Sequence, residues 1–382
     1  MHLSSKSPHT LAFALFCAWL ASALWMRAAD AAVGDELKPA AVLSIMEHVA
    51  DWQLAHPSSH RPNDWTQAAG YTGFMALADI SSSPRFFEAM YKMGEANEWK
   101  LAKRLYHADD QAVGQTYIEL FLKKPEPKMI AHIQANFDEI LAHPKNDNLD
   151  FSQPDTLDKW SWCDALFMAP PAWTRLYYIT GKEAYLNFMV EHWWKTSDFL
   201  YDAEEHLYYR DSRSFSLREP NGKKIFWSRG NGWVLAGLAR VLDYLPLAHP
   251  SRPRFENQFR EMAEKVATLQ NADGLWRASL LDPESYPMRE TSGSGFFCYG
   301  LAWGINRGYL PREKFEPIVR KAWTALESCV NPDGKLTHVQ PIGYTPKTFD
   351  PEATETYGVG AFLLAGKEIY RLSGGIVPEN RP

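Results

Sequence analysis

The sequence predicts an all-α protein, a single domain of six helical hairpins closed into an (α/α)6 barrel. Three observations support this. About twelve segments carry apolar residues at the 3.6-residue spacing of a helix, and no run alternates as a half-buried strand would. Successive segments alternate between charged and apolar. Each apolar segment opens on a cluster of polar, glycine and aromatic residues.

In chain order the segments fall at 40–56, 65–79, 84–99, 108–122, 127–143, 163–180, 183–200, 230–245, 255–270, 293–307, 311–330 and 353–372. The odd members, such as PRFFEAMYKMGEANEW, FENQFREMAEKVATLQ and REKFEPIVRKAWTALE, spread charge along their length, which suits one face in water. The even members, such as GFFCYGLAWGI and YGVGAFLLAG, are nearly uncharged and suit burial on every side. Hairpins of one exposed and one buried helix close naturally into a double ring. An open solenoid is the other way to stack them, but these inner sequences are too apolar for one open face.

The inner segments open with NDWTQAAGY (63–71), HADDQAVGQ (107–115), KWSWCDALFMAPP (159–171), FWSRGNGW (226–233), RETSGSGFF (289–297) and ATETYGVG (353–360). Any one cluster is explained by helix capping through Asp, Ser or Thr. In a closed barrel all six converge on one mouth, which is where an active site is expected.

Before the first helix, the chain reads as an export signal. Lys6 precedes an apolar run from Leu11 to Met26, and Ala29-Asp30-Ala31 fits a cleavage site, so residues 1–31 are expected to be removed. The apolar run is short for a membrane span. The mature protein, 32–382, is then expected in the periplasm or outside the cell, without a membrane partner. It keeps Cys163, Cys298 and Cys329, no even framework for bridges, so a large core must supply stability. The chain has 40 basic and 46 acidic residues, which argues against a nucleic-acid partner. With 15 Trp, 17 Tyr and 20 Phe it has ample rings both for a core and for stacking on sugars.

Within the clusters, Asp164 has Trp160, Trp162 and Cys163 before it and Ala-Leu-Phe-Met after it. Desolvation there would keep it protonated, as a general acid requires, while a helix N-terminus would favour the anion. A plain cap is the alternative. Asp109 and Asp110 open the fourth segment, and since successive helical residues diverge by about 100 degrees, one can face the lumen while the other caps. His107 is their supporting neighbour. Arg229, between Trp227 and Trp233 and flanked by Gly230 and Gly232, suits bidentate capture of a carboxylate or else a structural ion pair. Arg210 and Arg213 could hold the same anion or pair with Asp211. His338 lies on a late loop that could border the cleft. Phosphate loops, dinucleotide fingerprints and the H-E-x-x-H zinc motif are missing. Gly293-Ser294-Gly295 lacks the strand-to-helix setting of a nucleophile elbow. No pair of histidines has metal spacing, so neither a metal nor an organic cofactor is expected.

Taken together, ADDQAVGQ, WSWCDALFMAPP and WSRGNGW, in that order, resemble glycoside hydrolase family 105, the unsaturated rhamnogalacturonyl hydrolases, and more distantly family 88, the unsaturated glucuronyl hydrolases. The likeness spans the mature chain. It implies an (α/α)6 barrel, Asp164 as acid/base and a second carboxylate from Asp109 or Asp110. It also implies an unsaturated-sugar subsite lined by Trp227 and Arg229, with Trp233 close by; Trp162 and His107 are expected beside it. The implied reaction hydrates the vinyl ether of a terminal 4,5-unsaturated uronate. Two departures fall at substrate contacts: FSQPDTLDKW stands where family members often carry a histidine upstream of the WCD motif, and Arg210-Asp211 stands where one often follows LYY. They leave the parent polysaccharide open. The competing readings are a conventional inverting glycosidase using Asp164 with Asp109 or Asp110, a polysaccharide lyase using Tyr71, His107 or Tyr357, and a non-catalytic glycan-binding protein. Oligomeric state is not encoded in any pattern here.

Overall fold

The computed structural model describes residues 37–145, 148–153 and 156–378; the expected export signal, 1–31, lies outside the described residues. Its helices are α1 (Pro39–Ala55), α2 (Trp65–Ala78), α3 (Arg85–Ala96), α4 (Ala108–Gln111), α5 (Gly114–Lys123), α6 (Lys128–Ala142), α7 (Ala165–Met168) and α8 (Pro170–Thr180). They continue as α9 (Glu183–Leu200), α10 (Ser228–Leu242), α11 (Arg252–Thr268), α12 (Thr291–Asn306), α13 (Arg312–Glu327) and α14 (Thr356–Leu372).

Polarity decides which ring each helix joins. On α3 only Phe86, Met90 and Gly94 are buried, a stripe at four-residue spacing with charge around it. On α10 every residue from Ser228 to Leu242 is buried. The inner ring is α2, α5, α8, α10, α12 and α14, each packed on the next, and α14 packs back on α2. That last contact closes the barrel and excludes the solenoid. The inner helices run parallel. Gly70 lies against Thr356 and Gly73 against Gly360, while Gly232 lies against Gly293 and Phe296, and Gly295 against Ala361. A Cβ on Gly73 would sit 2.5 Å from the Gly360 carbonyl oxygen, so only glycine lets α2 and α14 approach so closely.

Two inner segments expected as continuous helices are broken. Pro170 and Pro171 lack the N–H groups that would join α7 to α8, and the chain turns at Ala169. Likewise Ala112 and Val113 separate α4 from α5. Each break leaves a short lead-in turn, carrying Asp164 or Asp109, angled away from the long helix behind it. A two-stranded hairpin, β1 (Tyr201–Asp202) with β2 (Leu207–Tyr208), was not expected from the sequence. Its strands are too short to show alternation. It is fixed from outside: Asn231 accepts the Tyr208 N–H at 2.7 Å and donates to the Tyr208 carbonyl at 3.0 Å. The three cysteines of the described residues are buried and unbridged. No helix among those residues is long and apolar enough to cross a membrane.

Candidate active site

Asp164 stands at the turn before α7, yet its side chain makes no capping hydrogen bond. Its carboxylate is therefore free for other work. It is 12% exposed, accepts the Cys163 thiol at 3.3 Å and lies 3.8 Å from the Arg210 Nε. Arg210 reaches it because the Cys163 N–H donates to the Arg210 carbonyl at 2.8 Å, tying the two segments together. Gly230, at the start of α10, allows the approach from the other side. A Cβ there would meet Cys163 Sγ and Trp227 Cε3 at 3.1 Å and Asp164 Oδ1 at 3.7 Å. Burial pushes the Asp164 carboxyl above its ordinary range, against the pull of Arg210 and Arg229.

Asp109 and Asp110 are told apart by their partners. Asp110 accepts the Arg104 backbone N–H at 2.8 Å and two of its guanidinium nitrogens, so it pins the 101–107 loop. These bonds occupy the Asp110 carboxylate, whereas Asp109 makes no such contact with Arg104. Asp109 is close enough to Asp164 to feel its charge, and burial, then Asp164, push its carboxyl up to about 7. Its side chain is 18% exposed. His107 caps the same turn, its Nδ1 accepting the Asp109 N–H at 3.2 Å, which puts the imidazole proton on Nε2. Burial, then Arg104, hold His107 down at about 4, so it is neutral. Its ring packs on buried Trp162, with centroids 5.0 Å apart. Among the described residues no group of His, Cys, Asp or Glu could hold a metal ion.

The three arginines differ in their partners. Arg229 is fully buried, its guanidinium over the Trp227 and Tyr357 rings at 4.5 and 4.8 Å. It donates to the carbonyls of Gln340 at 2.6 Å and Pro341 at 2.9 Å. Trp227 is buried too, donating to Gln340 Oε1 at 2.8 Å, and Trp233 is enclosed by Trp65, Phe167, Phe296 and Tyr357. All three are buried among these partners, the Arg229 Nε has no hydrogen-bond partner, and Arg229 acts on Asp164 through its field. Arg210 is the arginine beside the carboxylate. Its Nη1 donates to Asp211 at 2.7 Å, while its buried Nε has no hydrogen-bond partner. Arg213 chelates Asp211 at 2.9 and 2.8 Å and lies, half exposed, over the Phe151 and Tyr344 rings. His338 lies to one side, its Nδ1 2.8 Å from the Thr337 hydroxyl oxygen.

Sequence reasoning passed over Glu355. It precedes α14 without capping it, and burial raises its carboxyl while His60 and Arg229 oppose. The cluster TETYG marked the place, but nothing distinguished this acid from an ordinary cap. Tyr344 and Phe151 were also missed, since they lie on loops without periodicity.

A closed helical barrel with a buried carboxyl pair and an arginine at its mouth has the makings of an acid/base glycosidase. The chain belongs to glycosyl hydrolase family 88, whose model matches residues 40–373, and it is a glycosidase. It is 41% identical over 334 residues to an unsaturated 3S-rhamnoglycuronyl hydrolase from Formosa agariphila, a match spanning 84% of this chain and 88% of that protein. A family 88 glycosyl hydrolase structure from Bacteroides vulgatus has a TM-score of 0.79 at 32% identity, covering 87% of this chain and 99% of its own. A structure called a polysaccharide lyase has a TM-score of 0.80 at 36% identity, covering 89% of this chain and 99% of its own.

Proposed function

We propose that the protein removes a 4,5-unsaturated uronic acid from the non-reducing end of lyase-generated oligosaccharides by hydrating its vinyl ether, with Asp164 as proton donor. The observation that carries this is a buried carboxyl pair, Asp164 with Asp109, in which burial pushes both carboxyls above their ordinary range and so favours the protonated form that a donor needs. Asp164 gives its proton to C4, and the ring oxygen stabilises the cation that develops at C5. Water adds at C5 as the Asp164 carboxylate takes its proton, so one group serves as acid and then base. The hemiketal opens to a ketone, leaving at C1 a hemiacetal that expels the rest of the chain.

Asp109, the second carboxyl of the pair, binds a sugar hydroxyl. Arg210 and Arg213 receive the uronate carboxylate, the first through its unpartnered Nε. Arg229, which the family resemblance places in the same subsite, also keeps a buried Nε without a hydrogen-bond partner. The name of the Formosa relative supports a rhamnose on the leaving side. Export to the periplasm or beyond is part of the same proposal and rests on residues 1–31.

A lyase reading is favoured by the name of one similar structure. Against it, burial raises the hydroxyls of Tyr71 and Tyr357 above their ordinary range, and His107 is a weak base. The test is to follow the ultraviolet absorbance of the alkene with lyase-generated oligosaccharides. It falls with the wild type and stays constant with Asp164→Asn, a loss of roughly 10³-fold or more. Absorbance that rises on an intact polysaccharide would instead establish the lyase.

A further inference from the structure

We propose that Tyr344, with Phe151 and Arg213 beside it, forms the binding site for the sugar on the leaving side of the bond that is broken, its ring taking the C–H face of a pyranose. This rests on the hydration reaction proposed above and adds to it the direction in which the substrate leaves the pocket. The rings of Phe167, Trp233 and Phe296, which follow the mouth clusters along α7, α10 and α12, pack together and fill the barrel below the acid. A terminal uronate that brings C4 to Asp164 must therefore point its C1 substituent outwards.

One continuous path of side chains runs from the acid to solvent. Arg210 Nε lies 3.8 Å from Asp164, and the Arg210 guanidinium lies 5.2 Å from the centre of the Phe151 ring. Arg213 lies 4.2 Å from the same ring and 5.2 Å from that of Tyr344. Side-chain exposure rises along the path, from 12% at Asp164 through 15% at Arg210 to 47% at Arg213, and Tyr344 is more than half exposed. Tyr344 thus stands beyond the arginine pair assigned to the uronate, on the side to which the leaving chain must run. A singly exposed ring needs no explanation in itself. This one is held in place. Gln340 Nε2 donates to the Thr345 carbonyl at 3.0 Å, while Gln340 Oε1 accepts Trp227 and the Gln340 backbone carbonyl accepts both Arg229 and, at 2.7 Å, the Tyr357 hydroxyl. The 341–350 loop is therefore fastened to the buried residues next to Asp164. Phe151 is fixed likewise, its N–H donating to Ser212 Oγ at 2.9 Å between Asp211 and Arg213. Rings presented in this way suit the apolar face of a sugar, which gains dispersion contact without a charge to satisfy.

Two substrates separate this subsite from the uronate pocket: the unsaturated uronate joined to a sugar, as a lyase releases it, and its methyl glycoside, which has no sugar on the leaving side. Loss of the alkene absorbance gives kcat/KM for each. Tyr344→Ala should lower the value for the disaccharide roughly tenfold more than that for the methyl glycoside, mainly through KM. Tyr344→Phe keeps the ring and should restore most of the difference. An effect on the methyl glycoside as large as that on the disaccharide, or no effect on either, overturns the subsite and leaves the hydration reaction standing. Tyr344→Phe as impaired as Tyr344→Ala overturns it too, since the contact would then lie in the hydroxyl and not in the ring face. Wild-type protein that consumes neither substrate refutes the hydration reaction, and the subsite falls with it.

Discussion

Replacing Asp109 by Asn removes a carboxyl that the fold holds at about 7 against an ordinary 3.8. Such a group binds its proton more tightly folded than unfolded. Its stabilising effect is complete below about 4 and is lost as pH climbs to about 7, after which the penalty is constant. With each unit of pKa worth about 1.36 kcal/mol, ionising Asp109 costs about 1.7 kcal/mol at pH 5 and about 4.3 kcal/mol at pH 8. Asn carries no such penalty. Whatever fixed cost the substitution brings, the variant should gain about 2.6 kcal/mol on the wild type between those two pH values. An unfolding entropy of about 2.1 cal/mol/K per residue over roughly 340 residues converts this to about 4 °C in Tm. Calorimetry of both proteins at pH 5 and pH 8 measures it directly. A Tm difference that stays the same within about 1 °C would mean that Asp109 is an ordinary solvated carboxylate, and the proton-holding pair would be lost with it.

Three further substitutions separate the roles assigned above. Asp110→Asn breaks the charge-assisted bonds to Arg104 and should cost about 1–2 kcal/mol in chemical denaturation while kcat stays within about threefold; a hundredfold fall in kcat at unchanged stability would return Asp110 to the chemistry. Arg210→Met relieves the pull on Asp164, so the alkaline limb should shift to higher pH, and KM should rise about tenfold for loss of one charged contact to the uronate; an unaltered pH profile refutes this. Gly230→Ala puts a Cβ 3.1 Å from Cys163 Sγ and should lower kcat about tenfold by displacing the Asp164 turn, with circular dichroism unchanged; full activity would show that the turn yields freely.

The barrel was legible because its signals are local. Helix spacing is written in consecutive residues, and α9 begins and ends at the expected Glu183 and Leu200. The ring assignment followed from polarity, since charge spread along the outer segments, as on α3, leaves only one stripe to bury, whereas the inner segments are nearly uncharged. What the sequence could not convey depends on distant partners. Asp109 and Asp110 are equivalent until Arg104 claims one of them. Arg229 looked available because nothing in WSRGNGW announces that carbonyls 111 and 112 residues further on will take its donors.

That closure has a consequence for how the molecule is made. The first inner helix, α2, finds its tightest neighbour in the last, α14, through glycines nearly three hundred positions apart. Until the final helix leaves the ribosome, the small-residue face of α2 has nothing to cover it, and contacts this remote in sequence assemble slowly. Synthesis therefore passes through a long interval with an apolar groove exposed, during which the chain is open to aggregation.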